Sequence, residues 1–482
     1  MKKNNLTVIF FLVLMSFVLF LFRRAFTVNF FLDDFFFLKI GRAENLNQFL
    51  KFFSPYKTYF YRPIPTEVFY YFINLLNKNL FITHFFIFLF YFIGLFFLLK
   101  SLLIVTGNKV LTYLAVFMYS INFVHVFQLY QVATFIEVSL FTFLILSFYC
   151  VLKKRYLLSS IFFIGALFSK ESAIFFPLIL TLCYFFKIIP FSKKAFRNLI
   201  INFLLCLFFY FLYRPSLSYV TATEPFYRLN LNLRLIINNL MWYSLWSLGL
   251  PNFLPDYLLS IFAKPLPDFW KLLDSPVYKI YFYSLIVYYV LLIPTALAIF
   301  LNHPKTRIKN FLTYVFIFIS FTLLIAPTLP TIHRWMVRLT LPLIFTVLAQ
   351  AMIIYQAFQE KKFYKFIAGI LLILYIVIQV IGVGIHESSS VFLFESKISD
   401  QVLTFLTKNK SEIEKKKIIY FLDRNSNLSG WGGSKKLKNT LHGENFIPAI
   451  FSKENIKVYY DFNKNKIPLH AFVIDSEEMM PH

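Results

Sequence analysis

The chain has 482 residues, of which 59% are hydrophobic and only 15% charged, and its mean hydropathy is +0.67. A soluble domain of this length is nearer half apolar, so a water-soluble globular enzyme is excluded and a polytopic membrane protein is indicated. The formal net charge of +25 rests on a composition rich in Phe, Ile, Lys and Asn, so the placement of the charges is more informative than their sum.

Apolar runs long enough to cross about 30 Å of hydrocarbon recur from the N-terminus to about residue 384. The first, 6–22, follows Lys2 and Lys3 and has no small-x-small cleavage site, so it reads as a retained span rather than a signal peptide. Further spans are expected at 84–105, 110–127, 131–151, 156–168, 172–188, 198–213, 280–301, 311–328, 339–357 and 366–384. Lys109, Lys153-Lys154-Arg155, "SKKAFR" (192–197), "HPKTRIK" (303–309) and "EKKFYK" (360–365) fall between alternate pairs. The positive-inside rule then puts the N-terminus in the cytoplasm and the C-terminus outside. Counting 233–250 as a span would invert the last basic loops, so this Trp- and Asn-rich stretch is expected to be interfacial or re-entrant. The cysteines Cys150, Cys183 and Cys206 lie inside apolar runs and imply no disulfide framework.

The segment 1–384 is thus expected to be an all-α membrane domain of about eleven transmembrane helices, with a first external loop at 23–83. From 385 to 482 the pattern changes to an amphipathic helix, strand-like "KIIYFLD" (417–423), a "GWGG" turn (430–433), a short helix and strand-like "NIKVYYDF" and "HAFVID". This reads as a small extracytoplasmic α/β domain. It shows no phosphate loop, metal-spaced Cys/His cluster or nucleophile elbow.

Ionisable residues concentrate in the external segments. Asp33 and Asp34 leave the first span side by side, and mutual repulsion at a low-dielectric boundary would let one of them take a proton near neutral pH, as a general base must. Arg62 stands before Pro63 and Pro65, which fix its backbone, and suits a phosphate or a carboxylate. In "GALFSKESAIFFPLIL" (165–180), Lys170 and Glu171 separate two spans with almost no loop. Ionisable residues so placed pair with each other or serve a site, and adjacent helical residues do not face each other, which favours the site.

An acidic pair in the first external loop, "YRP" before the second span and "SKESA" followed by Pro between later spans resemble the GT-C membrane glycosyltransferases, especially the polytopic module of protein O-mannosyltransferases and the aminoarabinose transferases. The resemblance implies a polyprenyl-phosphate-linked sugar as donor and Asp33 or Asp34 as catalytic base. It implies donor-phosphate binding by Arg62 and by His333, Arg334 and Arg338 of "APTLPTIHRWMVRLTLP" (326–342), with Lys170 and Glu171 positioning. "NFVHVFQLYQVATFIEVSL" (122–140) matches the family in kind through His125 and Glu137, also positioning residues, but lacks its Pro and Trp. Arg338 is followed by Leu339 where the family usually has Tyr, and tetratricopeptide repeats are absent.

The expected enzyme is an inverting glycosyltransferase of the envelope, multi-pass in a prokaryotic plasma membrane. It would act on an extracytoplasmic protein, lipid or glycan and need no nucleic acid. No motif names a cofactor, and the adjacent carboxylates leave a divalent cation open. A transporter or flippase for lipid-linked sugars, or an O-antigen polymerase or ligase, are the alternatives. The first would want ionisable residues at mid-membrane and repeated halves, neither of which is evident.

Overall fold

The computed structural model describes residues 2–480 except 259, 261–262, 303, 305–306, 390, 425–432, 452–454 and 462–466. Among the described residues, six helical segments are long and apolar enough to cross a membrane: Leu80–Thr106, Val132–Leu152, Lys193–Thr223, Pro276–Asn302, Arg307–Thr328 and one beginning at Lys362, whose first helix runs Lys362–Ser389. Leu6–Leu21, Lys109–Ser120, Tyr156–Leu167, Glu171–Phe185 and Leu343–Gln359 are shorter apolar helices on the remaining expected spans. At 1.5 Å per residue these five fall short of the full hydrocarbon thickness. A count of about eleven spans therefore depends on them, whereas six follow from length and composition.

Local chemistry sets the helix ends. Leu80–Thr106 starts at Asn79, whose side chain accepts from the Ile82 N–H, and stops at Gly107, whose φ of 64° is left-handed. Asn108 then caps the next helix through the Leu111 N–H, so two helices reverse over "TGNK". The Leu80–Thr106 helix packs on Phe135–Leu152 through Gly94, where a Cβ would lie 2.3 Å from the Phe141 ring. Beside it Thr142 donates to the Phe90 carbonyl at 2.8 Å. Helices 193–223 and 276–302 leave most of their apolar surface outward, as lipid-facing helices do.

Two boundaries differ from expectation. The expected span 198–213 belongs to a helix running Lys193–Thr223 with Pro215 inside it, steadied on this side by Ser216, which donates to the Tyr59 carbonyl. Residues 233–247 are helical, but Trp242 and Trp246 are buried in protein rather than lying open to headgroups. Asn239 on that helix donates to the carbonyls of Leu329 and Thr331 at 2.7 and 2.9 Å, tying it to the 326–342 loop.

The C-terminal residues carry a parallel sheet in the order β2-β1-β3, with β1 at Ile418–Leu422, β2 at Lys457–Tyr460 and β3 at Phe472–Asp475. The expected strands are present within longer runs, and the helix Gly433–Thr440 follows β1. The "GWGG" turn lies outside the described residues except for Gly433.

This unit is bonded to the first loop. Leu32 N–H donates to the Thr440 carbonyl at 2.7 Å, Asn29 N–H to Ser396 at 2.7 Å and Ser399 to the Phe30 carbonyl at 2.5 Å. Lys39 donates to Asn445 at 3.1 Å and Lys78 to the Ala449 carbonyl at 3.1 Å. Other bonds join the segments read as external: Ile64 N–H to the Phe168 carbonyl at 3.3 Å and Asn230 N–H to that of Pro330 at 2.7 Å.

Candidate active site

Asp33 opens the short helix Asp33–Ile40 immediately after Leu32, whose φ of 52° and ψ of −126° are unusual for a residue with a side chain. Backbone outliers of this kind cost of order 1–3 kcal/mol and persist where surrounding bonds impose them. Here the imposing bond is the one from Leu32 to Thr440.

The two adjacent carboxylates have different surroundings. Asp34 is fully buried; its Oδ1 accepts from the Tyr70 hydroxyl at 2.7 Å and its Oδ2 from the Phe31 N–H at 3.0 Å. Burial pushes its carboxyl up to about 7 against those two bonds, and the charge of Asp33 adds a smaller upward push. The mutual repulsion anticipated from the sequence is therefore secondary to burial. Asp33 keeps 58% of its side-chain surface open. Desolvation by the protein around it also raises its carboxyl, while His442 and Arg62 pull it back down. Of the two, only Asp33 presents an oxygen to open space.

Arg62 donates from Nε and Nη2 to the two oxygens of Glu171 at 2.8 and 2.7 Å. Its guanidinium lies 4.4 Å above the Phe60 ring, against which Tyr227 packs edge-on at 4.8 Å. Burial raises the Tyr227 phenol, while Arg62 and Arg338 lower it and Asp33 and Glu171 raise it, so all five groups share one electrostatic neighbourhood.

Lys170 pairs with Glu137 rather than with the adjacent Glu171. This pair and Arg338 line a small recess with Leu140, Thr328 and Pro342. Arg338 Nη1 donates to Thr331 Oγ1 at 3.2 Å and to the His333 carbonyl at 2.9 Å. Burial, and then Arg338, push the His333 imidazole down to about 4, so it carries no charge at neutral pH.

The fold thus brings together Asp33, Arg62, Lys170, Glu171, Glu137, Arg338 and His333. It sets two expected residues apart. Arg334 lies in the field of Tyr243 and Asp256, and burial lowers its guanidinium. His125 is fully buried, its Nε2 2.8 Å from the Tyr119 carbonyl and its ring against Tyr119 and Tyr91. It braces the 121–131 segment inside the bundle.

Both oxygens of Asp34 are engaged by protein donors, and among the described residues no group of three or more His, Cys, Asp or Glu side chains is arranged to hold a metal.

Sequence reasoning missed His442, whose Nε2 lies 3.5 Å from Asp33 Oδ1, and the aromatic wall of Tyr59, Phe60 and Tyr227. Tyr59 is held by Glu67, which accepts its hydroxyl at 2.9 Å and the Lys57 ammonium at 2.6 Å. His442 sits in no motif; the one local signal was "LHG" closing a short helix.

No protein-family model matches the chain, and no curated protein matches it. Among solved structures it is similar to the crystal structure of the Archaeoglobus fulgidus oligosaccharyltransferase tethered through a disulfide to an acceptor peptide containing the NVT sequon. The TM-score is 0.43 at 11% identity, over 84% of this chain and 58% of that one. The chain thus spans a little over half the length of that enzyme.

Proposed function

We propose that the chain is an inverting membrane glycosyltransferase of the GT-C type that moves a sugar from a polyprenyl-phosphate donor to an extracytoplasmic hydroxyl or amine, with Asp33 as the general base. What supports this reading is that the open Asp33 carboxylate lies in the field of Arg62 and shares the electrostatic neighbourhood of Tyr227, Glu171 and Arg338, while Lys170 and Arg338 line one recess.

In a single displacement, Asp33 takes the proton of the acceptor O–H or N–H as that atom bonds to the anomeric carbon. The bond from that carbon to the phosphate oxygen breaks, and the lipid phosphate leaves with the electron pair. Its growing negative charge lies toward Arg338 and Lys170, cations fixed beforehand by Thr331 and Glu137. Arg62 is held by Glu171 and tunes Asp33 from a distance. The outward apolar faces of helices 193–223 and 276–302 suit the isoprenoid tail.

The test compares surface glycans and lipid-linked sugars by mass spectrometry in cells with the wild-type protein, the Asp33→Asn variant or none. The expected result is that Asp33→Asn matches the deletion, with a missing glycan and accumulated lipid-linked sugar. Unchanged glycans and lipid-linked sugars in the deletion strain would overturn the reading.

A further inference from the structure

The C-terminal unit places a side chain beside Asp33, and the hydrogen bonds behind that side chain fix what it can do. Lys39, on the same short helix as Asp33, donates from Nζ to Asn445 Oδ1 at 3.1 Å. An ammonium only donates, so the oxygen of the Asn445 amide faces Lys39 and its NH2 faces the other way. That NH2 lies 2.7 Å from His442 Nδ1. Nδ1 is then an acceptor, and the neutral imidazole carries its proton on Nε2. Nε2 is the nitrogen 3.5 Å from Asp33 Oδ1.

The backbone is built around this contact. His442 has a φ of 53°, left-handed for a residue with a Cβ, and Leu32, next to Asp33, is likewise at positive φ. The Leu32 to Thr440 bond clamps the two strained stretches together, and the imidazole lies 5.6 Å from the Phe36 ring at 31°. The separation from Asp33 exceeds that of a formed hydrogen bond, as is common before a substrate is bound.

We infer that His442 is a positioning residue for Asp33: its Nε2–H, with the tautomer set by Lys39 through Asn445, points the carboxylate oxygen toward the acceptor, so the membrane-embedded site is complete only with the C-terminal unit docked on the first loop. This rests on the reading of Asp33 as the base. His442 holds its proton throughout; the acceptor proton goes to Asp33.

Two measurements on the full-length protein test it. The first uses ring-nitrogen NMR with isotope-labelled histidine in nanodiscs, the His442 signal being assigned by its absence in His442→Gln. The expected signal is that of the Nε2-protonated tautomer, moving in Asn445→Leu. An Nδ1-protonated ring overturns the inference whatever the substrate is.

The second is the pH profile of transfer in membranes, using a radiolabelled polyprenyl-phosphate mannose or whichever lipid-linked sugar accumulates in the deletion strain. A donor to the carboxylate favours its charged form, so His442→Phe should slow transfer about tenfold and move the acid limb up by roughly half to one pH unit. His442→Gln, which keeps an amide donor near the Nε2 position, should restore most of the rate. An inactive Asp33→Asn together with a His442→Phe of normal rate and unmoved acid limb would sink the positioning role alone. A fully active Asp33→Asn would remove the base, and His442 with it.

Discussion

Arg62 and Glu171 stand 109 residues apart in sequence and meet in a two-bond fork of 2.8 and 2.7 Å over the Phe60 ring. A lysine carries the same charge but cannot make the fork or lie flat against an aromatic face. Arg62→Lys is therefore expected to keep the fold and lower transfer about 10- to 100-fold. Arg62→Ala leaves the Glu171 carboxylate, about one-quarter exposed, without its partner. It should cost about 2 kcal/mol of stability, below the full penalty for a wholly buried charge. Thermal unfolding in detergent, run beside the transfer assay, separates the two effects.

Asp33 and Asp34 should separate on substitution. Asp33→Asn changes an open side chain and is expected to leave the melting temperature within about a degree while lowering transfer about 100- to 10,000-fold. Asp34→Asn replaces an acceptor of two buried bonds, and the new NH2 must face either the Tyr70 hydroxyl or the Phe31 N–H. A loss of about 1–3 kcal/mol follows, with residual activity in proportion to the protein that folds. An Asp34→Asn variant that folds normally and transfers nothing would exchange the two roles.

Stability should also depend on pH through Asp34. Its folded-state value is raised from 3.8 to about 7, so over that window the folded chain holds a proton the unfolded chain has released. The stabilisation is complete below pH 3.8 and is lost as pH rises through 7, with a limiting slope of about 1.4 kcal/mol per pH unit for one proton. Glu67, raised to about 7 mainly by burial, acts in the same direction. The difference between wild type and Asp34→Asn isolates the Asp34 share. Melting temperatures from pH 5 to 8 should fall more steeply in the wild type.

The six long spans were legible because one quantity, apolar length, determines them; the helix from Leu80 to Thr106 covers the expected 84–105. Partner choice was not legible in the same way. Nothing in "SKES" says that Lys170 turns to Glu137 and Glu171 to Arg62, because the packing of distant helices decides it. The unequal burial of Asp33 and Asp34 likewise depends on Tyr70, a residue 36 positions away. His442 was invisible because its role comes from docking, not from its own neighbours in sequence.

Lys170 and Glu137 form a pair in which each side chain is at most one-tenth exposed. Removing one charge leaves the other buried and uncompensated, whereas removing both leaves a merely polar contact. Lys170→Met and Glu137→Gln should each lose about 3 kcal/mol, and the double variant less than the sum by more than 1 kcal/mol. If Lys170 also faces the departing phosphate, transfer stays low in the double variant although stability recovers. A double variant recovering both would limit the pair to a structural role.

The hydrogen bonds also bear on sidedness. Leu32 to Thr440, Ile64 to Phe168 and Asn230 to Pro330, with the Tyr227 ring against that of Phe60, place the first loop, the 168–171 turn, the 326–342 loop and the C-terminal unit at one end of the bundle. The 107–109 turn reaches Tyr355 instead, where Asn108 donates at 2.5 Å near the basic 360–365 run. Reporter fusions after Lys109, Arg155 and Lys361 are therefore expected to report cytoplasm, and one after Lys408 the opposite side. Asp33 lies beside His442 of the C-terminal unit, so the Lys408 fusion fixes the compartment of the chemistry. If that reporter were cytoplasmic, the acceptor would have to be sought on the cytosolic face, with the same residues acting in the same geometry.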